Sequence, residues 1–215
     1  MKDRTRFNSL AVVYVAGLLA VGCASTTLQS TWADPGYTGG PFKKFFVVGL
    51  SARDVATRRI FEDIVVAKLQ AAGAQAVPAW QSFRDEGQAS EPAMETAVAQ
   101  SGADAFLMTR LLGIDTRTNV STAMVPGPMM GPAFGPGPGP GFGWWGGYSG
   151  WYAVPQVTQY QIATAETTLF DVKTHRIVWT ATSQTFNPTS VQQEAPGLAD
   201  AVIAALKTRG LIAAK

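Results

Sequence analysis

The sequence has one cysteine, Cys23, and one histidine, His175. A single cysteine cannot form an internal disulfide, so the fold must rest on packing. With one member of each kind, no Cys/His metal cluster can form either. Charged side chains make up only 15% of the 215 residues. The net charge of +2 comes entirely from the first six residues, and after residue 22 there are 14 basic and 14 acidic groups. That balance excludes the basic excess that displaces counterions from nucleic acid. It also excludes a polybasic membrane patch. No apolar run approaches the roughly 20 residues that a membrane-crossing helix needs. The longest, residues 10–21 (LAVVYVAGLLAV), has 12.

That short run has a specific context. A basic start (MKDRTRFN) precedes it and small residues follow, the pattern of a secretory leader. Residues 1–22 are therefore expected to be a signal peptide. The stretch Ala20-Val21-Gly22-Cys23 resembles the lipobox of bacterial lipoproteins. The resemblance implies cleavage before Cys23, diacylglycerol on its thiol, and an acyl chain such as palmitate on the new amine. Leu is preferred three residues before the cysteine, where this chain has Ala20. Several acyl chains anchor firmly because each buried methylene contributes about 0.8 kcal/mol. In such lipoproteins Asp after the cysteine implies inner-membrane retention. Ala24 therefore points to the outer membrane, periplasmic face.

Residues 24–41 (ASTTLQSTWADPGYTGGP) are small, polar and rich in turn formers, and residues 23–41 are expected to be a lipidated tether. A single domain is expected over 42–212. Its first strand is Lys43–Ser51. Ser51 and Asp54 suggest a capping box before a helix that reaches Ala72, with Phe61, Ile64, Val65, Leu69 and the stem of Lys68 on one face. Gly73 suits the end of that helix. Ala76–Trp80 reads as a second strand. Ser90, Pro92 and Gly102 bracket a second helix. Ala103–Thr118 returns to strand character.

Residues 124–150 break the pattern with ten Gly, six Pro and three Met. Such density holds neither a helix nor a central strand, so a long loop inserted between two strands is expected. Beyond it, Val157–Asp171 and Arg176–Phe186 read as a hairpin turning at Lys173-Thr174-His175. A last helix runs from about Gln192 to Thr208, with Leu198, Val202, Ala205 and Leu206 on one face. Gly210 ends it, and Leu211-Ile212 should fold back. The order is β-α-β-α-β-loop-β-β-α, an α/β (α+β) domain with a mixed sheet and about three helices.

The Phe45–Leu50 strand, the Arg59/Glu62 helix with Leu69 and Gly73, the Ser101–Asp104 junction and the Leu169–Asp171/Ile177–Trp179 hairpin together resemble a known domain. It is the domain of the TolB N-terminus, also found in the lipoprotein activators of penicillin-binding proteins and the curli-secretion lipoprotein. The resemblance covers about 42–212 without 124–150, and it implies a fold and an envelope address rather than a reaction.

Catalytic motifs are missing. There is no G-x-S-x-G elbow, phosphate loop or dinucleotide fingerprint. His175 sits at the expected turn. Glu62 and Asp63 are expected to pair with Arg58 and Arg59 at helical spacing. Asp85-Glu86 reads as a solvated loop, and Glu166 stands alone on its strand. The expectation is a non-enzymatic binding or assembly module of the envelope, with no cofactor beyond the lipid on Cys23. The alternatives are a structural or stress-related envelope protein, or a hydrolase with an unrecognised site. Trp144, Trp145, Tyr148, Trp151 and Tyr152 cluster beside the loop, and Trp and Tyr favour interfaces and membrane boundaries. They are the candidate partner-binding residues. Expected partners are the membrane, through the lipid, and an envelope protein.

Overall fold

The computed structural model describes residues 26–50, 54–83, 90–126 and 151–213. Six strands and three helices build the expected mixed α+β architecture. The strands are β1 (Thr26–Ala33), β2 (Lys44–Leu50), β3 (Gln75–Pro78), β4 (Ala105–Pro126), β5 (Trp151–Asp171) and β6 (Arg176–Phe186). The helices are α1 (Val55–Ala71), α2 (Glu91–Ser101) and α3 (Val191–Thr208). They form one sheet in the order β1-β6-β5-β4-β2-β3. β2 is parallel to both β3 and β4, and every other pair is antiparallel.

The parallel half follows from two helical crossovers. β2 is buried on both faces, so its run KFFVVGL is almost continuously apolar, as a central parallel strand requires. Phe45 and Val47 point to one side with Leu69 of α1 and Val202 and Leu206 of α3. Phe46 and Val48 point to the other, with Ala97 and Val98 of α2. Trp179 of β6, fully buried, continues the first core across the antiparallel half. The C-terminal expectation holds: Gly210 takes a positive φ of 70°, and Leu211 and Ile212 are buried. The Phe42 N–H donates to the Leu211 carbonyl at 2.9 Å. His175 lies at the β5–β6 turn, exposed, with φ 56°.

Three boundaries differ from the sequence reading, and one expected boundary holds without its capping bond. Residues 24–41 are not all tether, because Thr26–Ala33 is strand β1 on the sheet edge, paired with β6 from Thr26↔Thr185 to Ala33↔Trp179. Only Leu28 and Ala33 pack on the core, so the strand shows no apolar alternation. The cap of α1 is Asp54, not Ser51, which lies outside the described residues. The Asp54 carboxylate accepts from the Thr57 N–H at 2.8 Å and from the Thr57 hydroxyl. Those two bonds hold its carboxyl below the usual range. Ser90 occupies the N-cap position of α2 without a side-chain capping bond. Lastly, β4 and β5 run well beyond the expected Thr118 and Val157, to Pro126 and from Trp151.

At the start of β2, Asp104 does the work of a missing neighbour. Its carboxylate accepts from the Lys43 N–H at 2.9 Å and the Lys44 N–H at 2.8 Å. The Ser101–Asp104 junction thereby ties the end of α2 to the sheet.

Candidate functional site

β4 is 22 residues long, about 70 Å at 3.3 Å per residue. The rest of the sheet does not follow it. β2 pairs with β4 only as far as Arg110. β6 reaches β5 only at Ile162↔Phe186. Asn187, at φ 47°, closes that end by donating its N–H to the Gln161 carbonyl and accepting the Gln161 N–H on Oδ1. Beyond this point β4 and β5 continue as a two-stranded ribbon, paired without interruption from Gly113↔Thr164 to Pro126↔Trp151. A register shift between Leu111 and Gly113 leaves Leu112 bulged where β2 ends. A bulge there bends and twists the strand as it leaves the sheet.

The ribbon is exposed on both faces. Val120 and Met124 on β4 and Val157 on β5 are each 60% exposed or more. From Thr118 to Ala165 the sequence holds no charged residue and no histidine across 48 positions. Directly paired residues share a face. One face carries Val120/Val157, Thr122/Pro155 and Met124/Ala153. The other carries Asn119/Thr158, Ser121/Gln156 and Ala123/Val154. Asp115 and Arg117, the only charges beyond Gly113, lie near the base on the second face. There Tyr160 stacks on Phe186 with ring centroids 4.7 Å apart. Pro155 stands where β5 has no outer neighbour, a place that tolerates a residue without an N–H.

Of the sequence-selected residues, Trp151 and Tyr152 open β5 at the ribbon's far end, their backbones paired with Pro126 and Val125. Their side chains lie outside the described residues, as do Trp144, Trp145, Tyr148 and Cys23. Sequence reasoning missed the ribbon itself. Its signal was the pair of β-branched runs TRTNVSTAMV and VPQVTQYQI, which lack an apolar period.

At the ribbon's base lies an open crevice of about 530 Å³. It sits at the C-terminal end of β2 and beside Thr109–Ile114 of β4, between the first turns of α1 and α3, and is walled by Leu50, Phe61, Leu111, Ile114 and Leu198. The α1 crossover leaves β2 on one face of the sheet, and the α2 crossover leaves β3 on the other. Two of the crevice's polar groups are spoken for. The Thr109 and Thr167 hydroxyls bond each other at 3.0 Å, and Glu194 accepts the Thr189 N–H at 3.0 Å. Glu166 lies outside it and pairs with Arg110 at 2.9 Å. Among the described residues no group of three His, Cys, Asp or Glu could hold a metal ion.

Gly49 sets the depth of this crevice. A Cβ there would lie 2.9 Å from Cδ1 of Phe61. Gly49→Ala should displace the Phe61 ring and cost about 1–3 kcal/mol by overpacking. Adding Phe61→Leu should recover most of the loss in urea unfolding.

Behind the crevice, α1 carries a buried charged pair. Glu62 is fully buried and Arg58 nearly so. Glu62 Oε1 accepts the Gly49 N–H at 3.0 Å, and Oε2 accepts the Trp80 N–H at 2.8 Å. Arg58 Nη2 donates to the Phe83 carbonyl at 2.8 Å. Asp63 has a partner that helical spacing did not select. It accepts Nε1 of Trp80 at 2.7 Å, while the Arg59 guanidinium lies 5.5 Å from the centre of that indole. Burial pushes the Glu62 carboxyl above its ordinary range, against the opposing pull of the two amides and Arg58.

No family model and no curated protein matches the chain. Among solved structures it is similar to the PelC dodecamer from Paraburkholderia phytofirmans, at 17% identity over 87% of this chain and 99% of that one, with a TM-score of 0.42. It is also similar to lipoprotein GNA1162 from Neisseria meningitidis, at 16% identity over 78% of this chain and 96% of that one, with a TM-score of 0.40.

Proposed function

We propose that this chain is an exported lipoprotein, anchored through Cys23 at the periplasmic face of the outer membrane, whose domain is a non-enzymatic binding or assembly module of the envelope. One observation carries the reading of the domain: a long β-ribbon, without charge beyond Arg117, stands clear of the sheet with both outer edges open. Such edges are templates for pairing, and soluble proteins ordinarily blunt them with charge. A contact surface explains the ribbon where a catalytic site does not. Apolar side chains form much of the crevice wall, and its carboxylate Glu194 accepts from Thr189 through Oε1 while Oε2 is buried with no partner among the described residues. The sequence likeness to the TolB N-terminal domain agrees with a scaffold of this kind. The leader and the lipobox-like stretch supply the address.

Mass spectrometry of the N-terminal peptide from native membranes tests the anchor. The expected species begins at Cys23 and carries a diacylglyceryl group and an acyl chain. Cys23→Ser should abolish acylation, leave the leader uncut and remove the mature form from the membrane fraction. An unmodified thiol on the native protein would refute the reading.

A further inference from the structure

Resting on the Cys23 anchor, we infer that the crevice at the ribbon's base binds a fatty acyl chain. Its occupant in water is one chain of the lipid on Cys23. Three observations carry this. The first is the run of the crevice. Its floor crosses four neighbouring strands, from Gly49 on β2 through Thr109 on β4 and Ala165 on β5 to Thr185 on β6. Three strand spacings make that at least about 14 Å. Phe61 of α1 and Leu198 of α3 wall it from the helix side. The space is a trough of about 530 Å³, the size of an ordinary small-molecule pocket and long in one direction.

The second is the state of the lining. Four of its hydroxyls are already bonded within the protein: Thr57 to Asp54, Thr109 to Thr167, Thr185 to Thr26, and Thr189 to Glu194. Arg58 Nε and Glu194 Oε2 have no partner among the described residues, but both are closed to water. A guest lying in the open trough does not reach them. A polar ligand would therefore find few free groups to fix it. An apolar chain would be covered along its length by Leu50, Phe61, Leu111, Ile114 and Leu198, and its burial would strand none of the four hydroxyls.

The third is the place where the lipid is tied. Thr26 is the first residue of β1, and its hydroxyl lies 2.8 Å from that of Thr185, at the end of the trough. Cys23 is three residues earlier, so its Cα lies at most about 11 Å from that of Thr26. A linker this short holds the chain beside the trough at an effective concentration of about millimolar. Occupancy then follows the anchor. A chain in a bilayer is already out of water and gains little by moving. A chain in water gains with every methylene that the trough covers.

The test uses the mature chain from Cys23, made without the leader so that its sole thiol is free. One sample is alkylated with N-ethylmaleimide and another with N-hexadecylmaleimide. The probe is cis-parinaric acid, a fluorescent fatty acid, in detergent-free buffer. The ethyl form should bind it saturably. The hexadecyl form should bind it about tenfold more weakly or worse, because the tethered chain outcompetes the free one. It should also sediment as the ethyl form does, since its chain is hidden. Ile114, 37% exposed on the crevice wall, tests the place. Ile114→Glu should remove most of the binding by the ethyl form. Ile177→Glu, at an exposed position at the far end of β6, should leave it unchanged. Equal binding by the two alkylated forms, no binding by the ethyl form, binding that survives Ile114→Glu, or micelle-sized hexadecyl particles would each overturn the inference and leave the anchor standing. An unmodified Cys23 in native membranes would refute the anchor and remove the guest with it, even where the ethyl form binds the probe.

Discussion

Glu62→Ala should cost about 2–5 kcal/mol of stability, because backbone donors lose their acceptor and each stranded buried donor costs about 1–3 kcal/mol. Here the loss is compounded. The Gly49 and Trp80 N–H groups lose their acceptor, and the buried Arg58 guanidinium loses the negative charge near it. The reason these amides need Glu62 lies in the sheet. β3 pairs with β2 only as far as Val47↔Pro78, so Gly49 has no strand on that side. The carboxylate substitutes for the strand. The pH dependence has a definite sign. Glu62 holds its proton more tightly in the folded state than at its ordinary value of 4.5. Its contribution is therefore complete below that value and is lost as pH rises through the raised folded one. The stability gap between the parent and Glu62→Ala, from urea unfolding at successive pH values, should widen as pH falls from 7 toward 4.5. A gap that narrows would mean that the amides and Arg58, not burial, control the carboxyl.

The same cluster shows what the sequence could and could not reveal. Helical spacing was enough to put Glu62 beside Arg58. Its burial was not readable, since that depends on β3 ending at Pro78 and on the short 3₁₀ turn at Ala79–Gln81 bringing Trp80 back over α1. Elements with an apolar period were legible: β2 is buried as expected, α1 buries Val65 and Leu69, and α3 buries Leu198, Val202 and Leu206, while Phe61, Ile64, Lys68 and Ala205 are half-buried. Edge elements were not. Thr26–Ala33 packs only Leu28 and Ala33 on the core, and the Asp34-Pro35-Gly36 turn after it made the whole stretch look like linker. The ribbon fails for the same reason in stronger form. With neither face packed on a core, β4 and β5 past Gly113 carry pairing information but almost no burial pattern. The aromatic cluster was found by composition. The register places two of its members, Trp151 opposite Pro126 and Tyr152 opposite Val125.

Trp179→Ala should be comparably severe, about 3–5 kcal/mol, the usual range for deleting a buried aromatic from a packed core. Trp179 is fully buried and lies in register with both Leu169 on β5 and Ala33 on β1. Its loss thus opens the core below the edge strand that leads to Cys23. A second substitution separates packing from polarity. The indole Nε1 is buried and has no hydrogen-bond partner among the described residues. An unsatisfied buried donor carries a desolvation penalty of about 1–3 kcal/mol. Trp179→Phe removes that penalty while keeping most of the ring in place. It should lose less than half of what Trp179→Ala loses in urea unfolding midpoints. Limited proteolysis should report the structural consequence: cleavage within 26–41 rises sharply in Trp179→Ala, where β1 is undermined, and stays near the parent rate in Trp179→Phe. Equal losses for the two variants would show that the indole N–H finds a partner in solution and that the whole side chain, polar atom included, holds β1 to the sheet.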